Sequence, residues 1–563
     1  MRFFVAILFI FNSTFGQDKY PKGYFESPMN IPLSISGSFG ELRPNHFHSG
    51  LDFRTDKREG LPIYASADGF ISRIKISTGG YGKSIYIDHP NGYTTVYGHL
   101  QTCNTIIQTI IEKEQYSKNN YEIEIFPKPD EIVVKKGDLI AYSGNTGSSG
   151  GPHLHFEIRD TKTEKIINPL FFGFDKSMKD SKPPTINSLI GYPIDEFSQI
   201  NSSSKPALLN LTIQKDGTYL AEKIMASGKI AFGINAYDTF DDGYGKNGLF
   251  KVETYLNGNS YFGFEFDSFT FDETRYINAF IDFPRYQSTK QRFQKLFVGY
   301  FYPENIIKTK KNDGIVSLYS NFNLNYKVIV EDFAGNKSII NIPVSYSYLP
   351  IITKNEIQKT PYFLKVKNEN SYTKDNISVF IPEKTFYEDF YLKFDVKNNE
   401  LFLHDDSVAV SENMNITFDV SSIPVAQREK MFIANGNVGK MNFNYTIKNN
   451  DLFTIKTKKL GRFFLANDSI APTIYKPNFV KGSNLDNQKT LQLYMSDNLS
   501  GINQYNAYLN GKWILMEYEN KLNRLVHILS NKYYQIGKNE FKLVVSDYLG
   551  NSTTFESNFI KTK

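Results

Sequence analysis

One cysteine and one tryptophan serve 563 residues, so an intrachain disulfide and a thiolate metal cluster are both excluded. A surplus of charge is missing too. Lys and Arg number 64 against 59 Asp and Glu, and a net charge of +5 over this length leaves no footprint for nucleic acid. No segment reaches the roughly 18 uninterrupted apolar residues that a membrane-spanning helix needs. Aromatic residues are what the chain has in quantity. Its 47 Phe and 37 Tyr, with 40% hydrophobic and 22% charged residues overall, can build cores and favour strands over helical bundles. At about 150 residues per domain, the length predicts roughly three to five domains.

The apolar run from Phe3 to Phe11 follows Met1-Arg2 and precedes the small residues Thr14 and Gly16. This reads as a signal peptide over residues 1–16, cleaved after Gly16. The mature protein is therefore expected to be exported and soluble, in the periplasm, the cell envelope or the medium. Without disulfides, its domains have to rely on hydrophobic burial. Cys103 reads as an ordinary free thiol.

The stretch Asp175–Pro184 is polar and ends in two prolines, as a linker does. Further breaks fall near Pro350 and at Asp468–Pro472. These cuts predict a domain over 17–175 and modules over 183–349, 351–469 and 471–563. An internal repeat supports them. Pro184-Thr185-Ile186, Ala236-Tyr237-Asp238, Tyr255-Leu256-Asn257-Gly258 and Val330-Glu331-Asp332 through Asn336 recur in order as Pro472-Thr473-Ile474, Met495-Ser496-Asp497, Tyr508-Leu509-Asn510-Gly511 and Val545-Ser546-Asp547 through Asn551. Short alternating segments between Asn-Gly and Gly-Asn turns predict β-sandwich (Ig-like) modules. Residues 351–469 lack the repeat but alternate in the same way. The recurring aspartates suit either a cation or the local backbone of a turn, and the turn is the commoner use.

Six of the eight histidines, His46, His48, His89, His99, His153 and His155, fall in the first domain. His48-Ser49-Gly50-Leu51-Asp52 puts an imidazole and a carboxylate four residues apart, on one face if the segment is extended. His153-Leu154-His155-Phe156-Glu157 alternates with period two, predicting a half-buried strand with both imidazoles on one side. His99 ends a second alternating strand, Tyr93 to Leu100, after the turn Pro90-Asn91-Gly92. A hydrolytic zinc ion needs three N/O ligands and an open position, and the surplus histidines suit proton transfer and oxyanion stabilisation.

These segments also resemble a known family. Gly37-Ser-Phe-Gly-Glu-Leu-Arg43, His48-Ser-Gly-Leu-Asp52, Tyr97-Gly-His-Leu100 and Gly144 through Glu157 are similar to the motifs of the M23 (LytM/lysostaphin-type) zinc metallopeptidases. The resemblance covers about a quarter of the chain, from Ile31 to Pro169. It implies a mainly β fold, with an antiparallel β-sheet peptidase domain at the N-terminus. It implies Zn²⁺ on His48, Asp52 and His155, His153 as the proton-transfer residue, and His99 at the oxyanion. It also implies a substrate in the peptide stems or cross-bridges of peptidoglycan. Glu157 would then orient a ligand from behind. His46 reads as a groove-wall residue and His89 as a structural turn residue. The glycines of 144–151 lack a Gly-Lys-Ser/Thr ending, which argues against a phosphate loop.

One feature departs from the compact pattern, an insertion over 101–133. Thr105 to Gln115 is expected to form a helix there, with Ile106, Ile107, Ile110 and Ile111 on one face, walling or lidding the groove. A fragment ending near Lys182 is expected to fold and act alone. The competing reading is a non-catalytic wall-binding or activator protein, with envelope-protein partners on the C-terminal modules.

Overall fold

The structure is a computed structural model describing residues 19–241, 245–320, 323–437, 439–530 and 532–562, so the signal peptide read over 1–16 lies outside the described residues. The chain is mainly β, and its longest described helix is Thr105–Lys118, 14 residues.

The strands of the N-terminal sheet lie in the order Ile35–Gly37, Leu51–Arg54, His153–Asp160, Tyr93–Gly98, Lys83–Asp88, Gly69–Ile76 and Ile123–Ile125, each pair antiparallel. Register does the essential work. His155 lies opposite Asp52 on one neighbour and Gly98 on the other, so segments 103 and 57 residues away in sequence meet at one rung. The His153–Asp160 strand departs from the half-buried expectation, because Leu154 through Arg159 are all buried. The strand is central, and its polar face is covered by tyrosine and histidine rings.

The polar stretch after Ser177 carries no strand or helix until Thr185, yet the core runs across it. Phe39 and Phe47 pack on Phe269 at ring separations of 4.9 and 5.8 Å, and Phe47 also meets Phe266 and Phe280. Strand Ser268–Phe269 of the second module extends the N-terminal sheet by pairing with Ile166–Ile167. The fragment expected to fold alone would lose this cover.

In the second module, Thr185–Pro193, Ile224–Tyr237, Lys337–Tyr346, Asn323–Glu331 and Lys251–Leu256 lie side by side. Between 370 and 467, two five-stranded sheets enclose a separate core, and between 473 and 561 a four- and a five-stranded sheet enclose another. Within the insertion, helix Thr105–Lys118 buries Ile107 and Ile111, but Ile106 is 71% exposed, since it is turned about 100° around the helix from Ile107. The outer side of this helix meets the last module. Tyr116 stacks on Tyr533 with ring centroids 5.1 Å apart and meets Trp513 edge-on. Lys83 pairs with Glu517 at 2.8 Å, and Lys521 donates to Asn145 Oδ1 at 2.9 Å. Between the two modules lies a cleft of about 370 Å³ lined by Gln101, Tyr121 and Thr146 on one side and Glu517 and Lys521 on the other.

Candidate metal centre

His48 Nε2, Asp52 Oδ1 and His155 Nδ1 lie 3.0, 3.0 and 3.1 Å from one another, all on buried side chains. A four-coordinate ion with bonds of about 2.0–2.1 Å holds its ligand atoms about 3.3 Å apart, so this triangle has the right size for one. The hydrogen bonds behind it fix the tautomers. His48 Nδ1 faces the Ser38 carbonyl at 2.8 Å, and a carbonyl only accepts, so Nδ1 carries the proton and the Nε2 lone pair turns inward. His155 Nε2 faces Glu157 Oε1 at 2.8 Å, which leaves the Nδ1 lone pair for the centre.

Glu157 is fully enclosed yet provided for. Its Oε1 accepts from Ser49 Oγ at 2.6 Å and from the Tyr81 hydroxyl, and its Oε2 accepts from Arg159 Nε at 2.7 Å. Burial works against its charge, but Arg159 and His155 hold the carboxyl well below the usual range. Arg159 in turn lies over Tyr86 and Phe271, 5.3 and 4.6 Å from the ring centres. Burial would lower the His155 imidazolium, but hydrogen bonds to Asp52 and Glu157 push it up to about 9. On the other side, Arg43 Nη2 donates to Asp52 Oδ2 at 2.7 Å, leaving Oδ1 alone to face the histidines. Gly37 makes room, since a Cβ there would lie 2.1 Å from Arg43 Nη2 and 2.7 Å from Asp52 Oδ2.

The other two histidines flank the triangle. His153 Nδ1 donates to the Gly151 carbonyl at 2.8 Å. Its Nε2 is buried, has no hydrogen-bond partner and lies 3.4 Å from Asp52 Oδ1. His99 lies with its ring centroid 4.7 Å from that of His153 and donates from Nδ1 to the Thr146 carbonyl at 2.9 Å. Burial, with His155 and His153 nearby, lowers His99 to about 3, so its Nε2 is an acceptor. The oxyanion role implied for His99 therefore needs a proton delivered to Nε2 first. His99 also holds φ +60°, a strained backbone that costs about 1–3 kcal/mol and clusters at working sites.

His46 and His89 stand apart. His46 is exposed, its Nδ1 2.9 Å from the Pro44 carbonyl. His89 is buried between Asp68 O and Thr95 Oγ1, at 2.8 Å from each. Sequence reasoning missed Arg43, Tyr81, Thr146, Ser38 and Arg159. The last was in reach, because period two on the His153 strand puts residue 159 on the face of 153, 155 and 157. The two carbonyls leave no mark in side-chain identity. Two imidazoles and a carboxylate form a donor set that suits zinc or a neighbouring transition metal better than calcium or magnesium.

Comparison with known proteins agrees with this geometry. The profile of peptidase family M23 matches residues 46–116 and 128–169, and that of a Zu5-like domain matches residues 361–468. An uncharacterized metalloprotease of Haemophilus influenzae is 32% identical over 158 residues, covering 26% of this chain and 27% of its own. The DD-carboxypeptidase/endopeptidase Mpg of Neisseria meningitidis serogroup B is 33% identical over 143 residues, covering 24% and 27%. The peptidoglycan DD-endopeptidase ShyB of Vibrio cholerae is 33% identical over 112 residues, 20% of each chain. The match thus spans about a quarter of the length of the first two relatives. The part of this chain that carries the histidine cluster is similar to peptidase family M23 over residues 46–116 and 128–169.

Proposed function

We propose that the protein is an exported zinc endopeptidase that hydrolyses peptide bonds of peptidoglycan in the cell envelope. The observation that carries this reading is the triangle of His48, Asp52 and His155 donor atoms beside a buried, unpartnered His153 Nε2. The names of the Neisseria and Vibrio relatives support the substrate class. His48, Asp52 and His155 would hold the ion. Zinc there supplies a Lewis acid that polarises a carbonyl and lowers the pKa of a water to about 7.

The remaining roles belong to the chain. His153, its Nδ1 proton tied to Gly151, presents Nε2 to take a proton from the attacking water. His153 then passes that proton to the leaving amine, and His99, held by Thr146 through Nδ1, is a second acceptor at Nε2 for the attacking water. Arg43 and Glu157 fix the ligands from behind.

The test is digestion of purified sacculi by the full chain, with fragments identified by mass spectrometry. New termini within stem peptides are expected, lost with a chelator and restored by zinc. His153→Ala is expected to keep stoichiometric metal and lose turnover by about 10²–10⁴-fold. A zinc-loaded, folded wild type that releases nothing from sacculi would leave the wall-binding alternative in its place.

A further inference from the structure

The repeat noted in the sequence brings together a second kind of site, twice. At the junction before the second module, carboxylate oxygens of Asp180, Asp238 and Asp332 lie within 4.8 Å of one another. At the junction before the last module, Asp468, Asp497 and Asp547 do the same. In each trio one aspartate comes from the linker and two from positions at or just after the C-terminal ends of strands: Ile224–Tyr237 and Asn323–Glu331 in the first, Thr490–Ser496 and Gly537–Asp547 in the second.

The two junctions agree in their hydrogen bonds. Asn336 donates from Nδ2 to Asp332 Oδ2 at 2.9 Å and to the Asp180 carbonyl at 3.3 Å. Asn551 donates from Nδ2 to Asp547 Oδ2 at 2.6 Å and to the Asp468 carbonyl at 3.0 Å. Ser338 Oγ donates to Pro184 O at 2.6 Å, and Thr553 Oγ1 to Pro472 O at 2.5 Å.

Local turn bonding explains part of each trio and stops at the same place in both. Asp332 and Asp547 accept the backbone N–H four residues on, each at 2.9 Å. Asp468 and Asp497 also accept backbone N–H groups. The middle aspartate keeps an oxygen that no turn uses. Asp238 is 4% exposed, and its Oδ1 is buried without a partner. Asp497 Oδ1, at the equivalent position, is likewise buried and unpartnered. Among the described residues, none of the six aspartates has a basic partner within ion-pair distance. The nearby Lys182 ammonium instead donates to the carbonyls of Phe240 and Asp241. Burial, compounded by the neighbouring carboxylates, raises Asp180 to about 6 and Asp238 to about 7, as uncompensated like charges do.

We propose that each trio is a Ca²⁺ site, so that one cation fastens each linker to the sheet that follows it. Only oxygens converge, with no imidazole or thiolate, which selects a hard cation. The trios mix linker and strand-end ligands of unequal burial, a looser frame than Mg²⁺ accepts, whereas Ca²⁺ takes 6–8 oxygens in flexible geometry, the balance from carbonyls and water. The inference is independent of the peptidase chemistry.

Calcium binding to the full-length mature protein, zinc-loaded and dialysed, tests it by titration calorimetry up to about 1 mM Ca²⁺, the range of extracellular modules. Two equivalents are expected in the wild type, one in D238N, one in D497N and none in the double variant, with zinc content unchanged. Tb³⁺ luminescence sensitised by tyrosine, and its displacement by Ca²⁺, reads the wild type alone and is independent of how the variants fold. Calcium is expected to protect residues 178–184 and 468–472 from proteolysis in the wild type, only the linker of the intact trio in each single variant, and neither in the double variant. Wild type that binds no calcium beyond the double variant, or Tb³⁺ that calcium does not displace, would overturn the proposal. Equal affinity for Mg²⁺ would overturn the assignment to calcium.

Discussion

Glu157 is a charge placed where water cannot reach it, and its value lies in what it does to His155. Replacing it with Gln keeps the shape, weakens the hold on the His155 Nε2 proton and leaves the buried Arg159 with only the exposed carboxylate of Glu164, 3.5 Å away, as its opposing charge. Glu157→Gln is expected to lower metal affinity by about 10–100-fold, measured by competition with a chromophoric chelator. Acid acts on the same group. In the metal-free protein, the His155 proton competes with the ion, so apparent affinity is expected to fall about tenfold per pH unit below about 9. The sign for stability follows. The folded pKa is raised, so the imidazolium stabilises the metal-free chain fully below about 6.5, and that stabilisation is lost as pH rises through about 9. His99 is lowered instead and titrates differently only below about 6.5, so of these two histidines only His155 contributes to a fall in the melting temperature of the metal-free protein between those values. Burial also pushes the Cys103 thiol up to about 12, so it is expected to resist a thiol reagent at pH 8 until the protein is unfolded. Side chains that touch the centre were legible because imidazoles are rare in this sequence and fall at even spacing. Arg43 was visible as a letter in a motif, but its partner Asp52 lies across a fold that no spacing reveals.

At the scale of elements, the site depends on how closely two strands approach. Gly50 lies against the His153–Asp160 strand, where a Cβ would come 2.3 Å from the Phe156 carbonyl and 2.9 Å from Glu157 Cγ. That carbonyl is backbone and cannot step aside. Gly50→Ala is expected to destabilise the folded state by about 1–3 kcal/mol and to weaken metal retention, read from denaturant melts and zinc content together. Periodicity made the strand and its histidine face readable. It did not reveal burial on both sides, which comes from neighbours in strand order and from rings supplied by other segments. The helix of the insertion was readable for a related reason. Its buried pair Ile107 and Ile111 follows the i, i+4 rule, whereas Ile106 showed only composition.

Across the whole molecule, polar composition marked linkers where the backbone lacks regular structure, but it carried no record of which aromatic faces cross them. Phe266, Phe269 and Phe280 cover Phe39 and Phe47, so a fragment ending near Lys182 is expected to bind a dye for exposed apolar surface and to melt without cooperativity, while one ending at 349 folds. A compact, active shorter fragment would show that this cover is dispensable.

The contact between Lys83 and Glu517 joins residues 434 apart. The ribosome therefore releases the far wall of the cleft beside Thr146 long after the histidine cluster has emerged. A chain cut short before Glu517 keeps all five histidine and aspartate groups yet leaves the flank of the cleft beside Thr146 open.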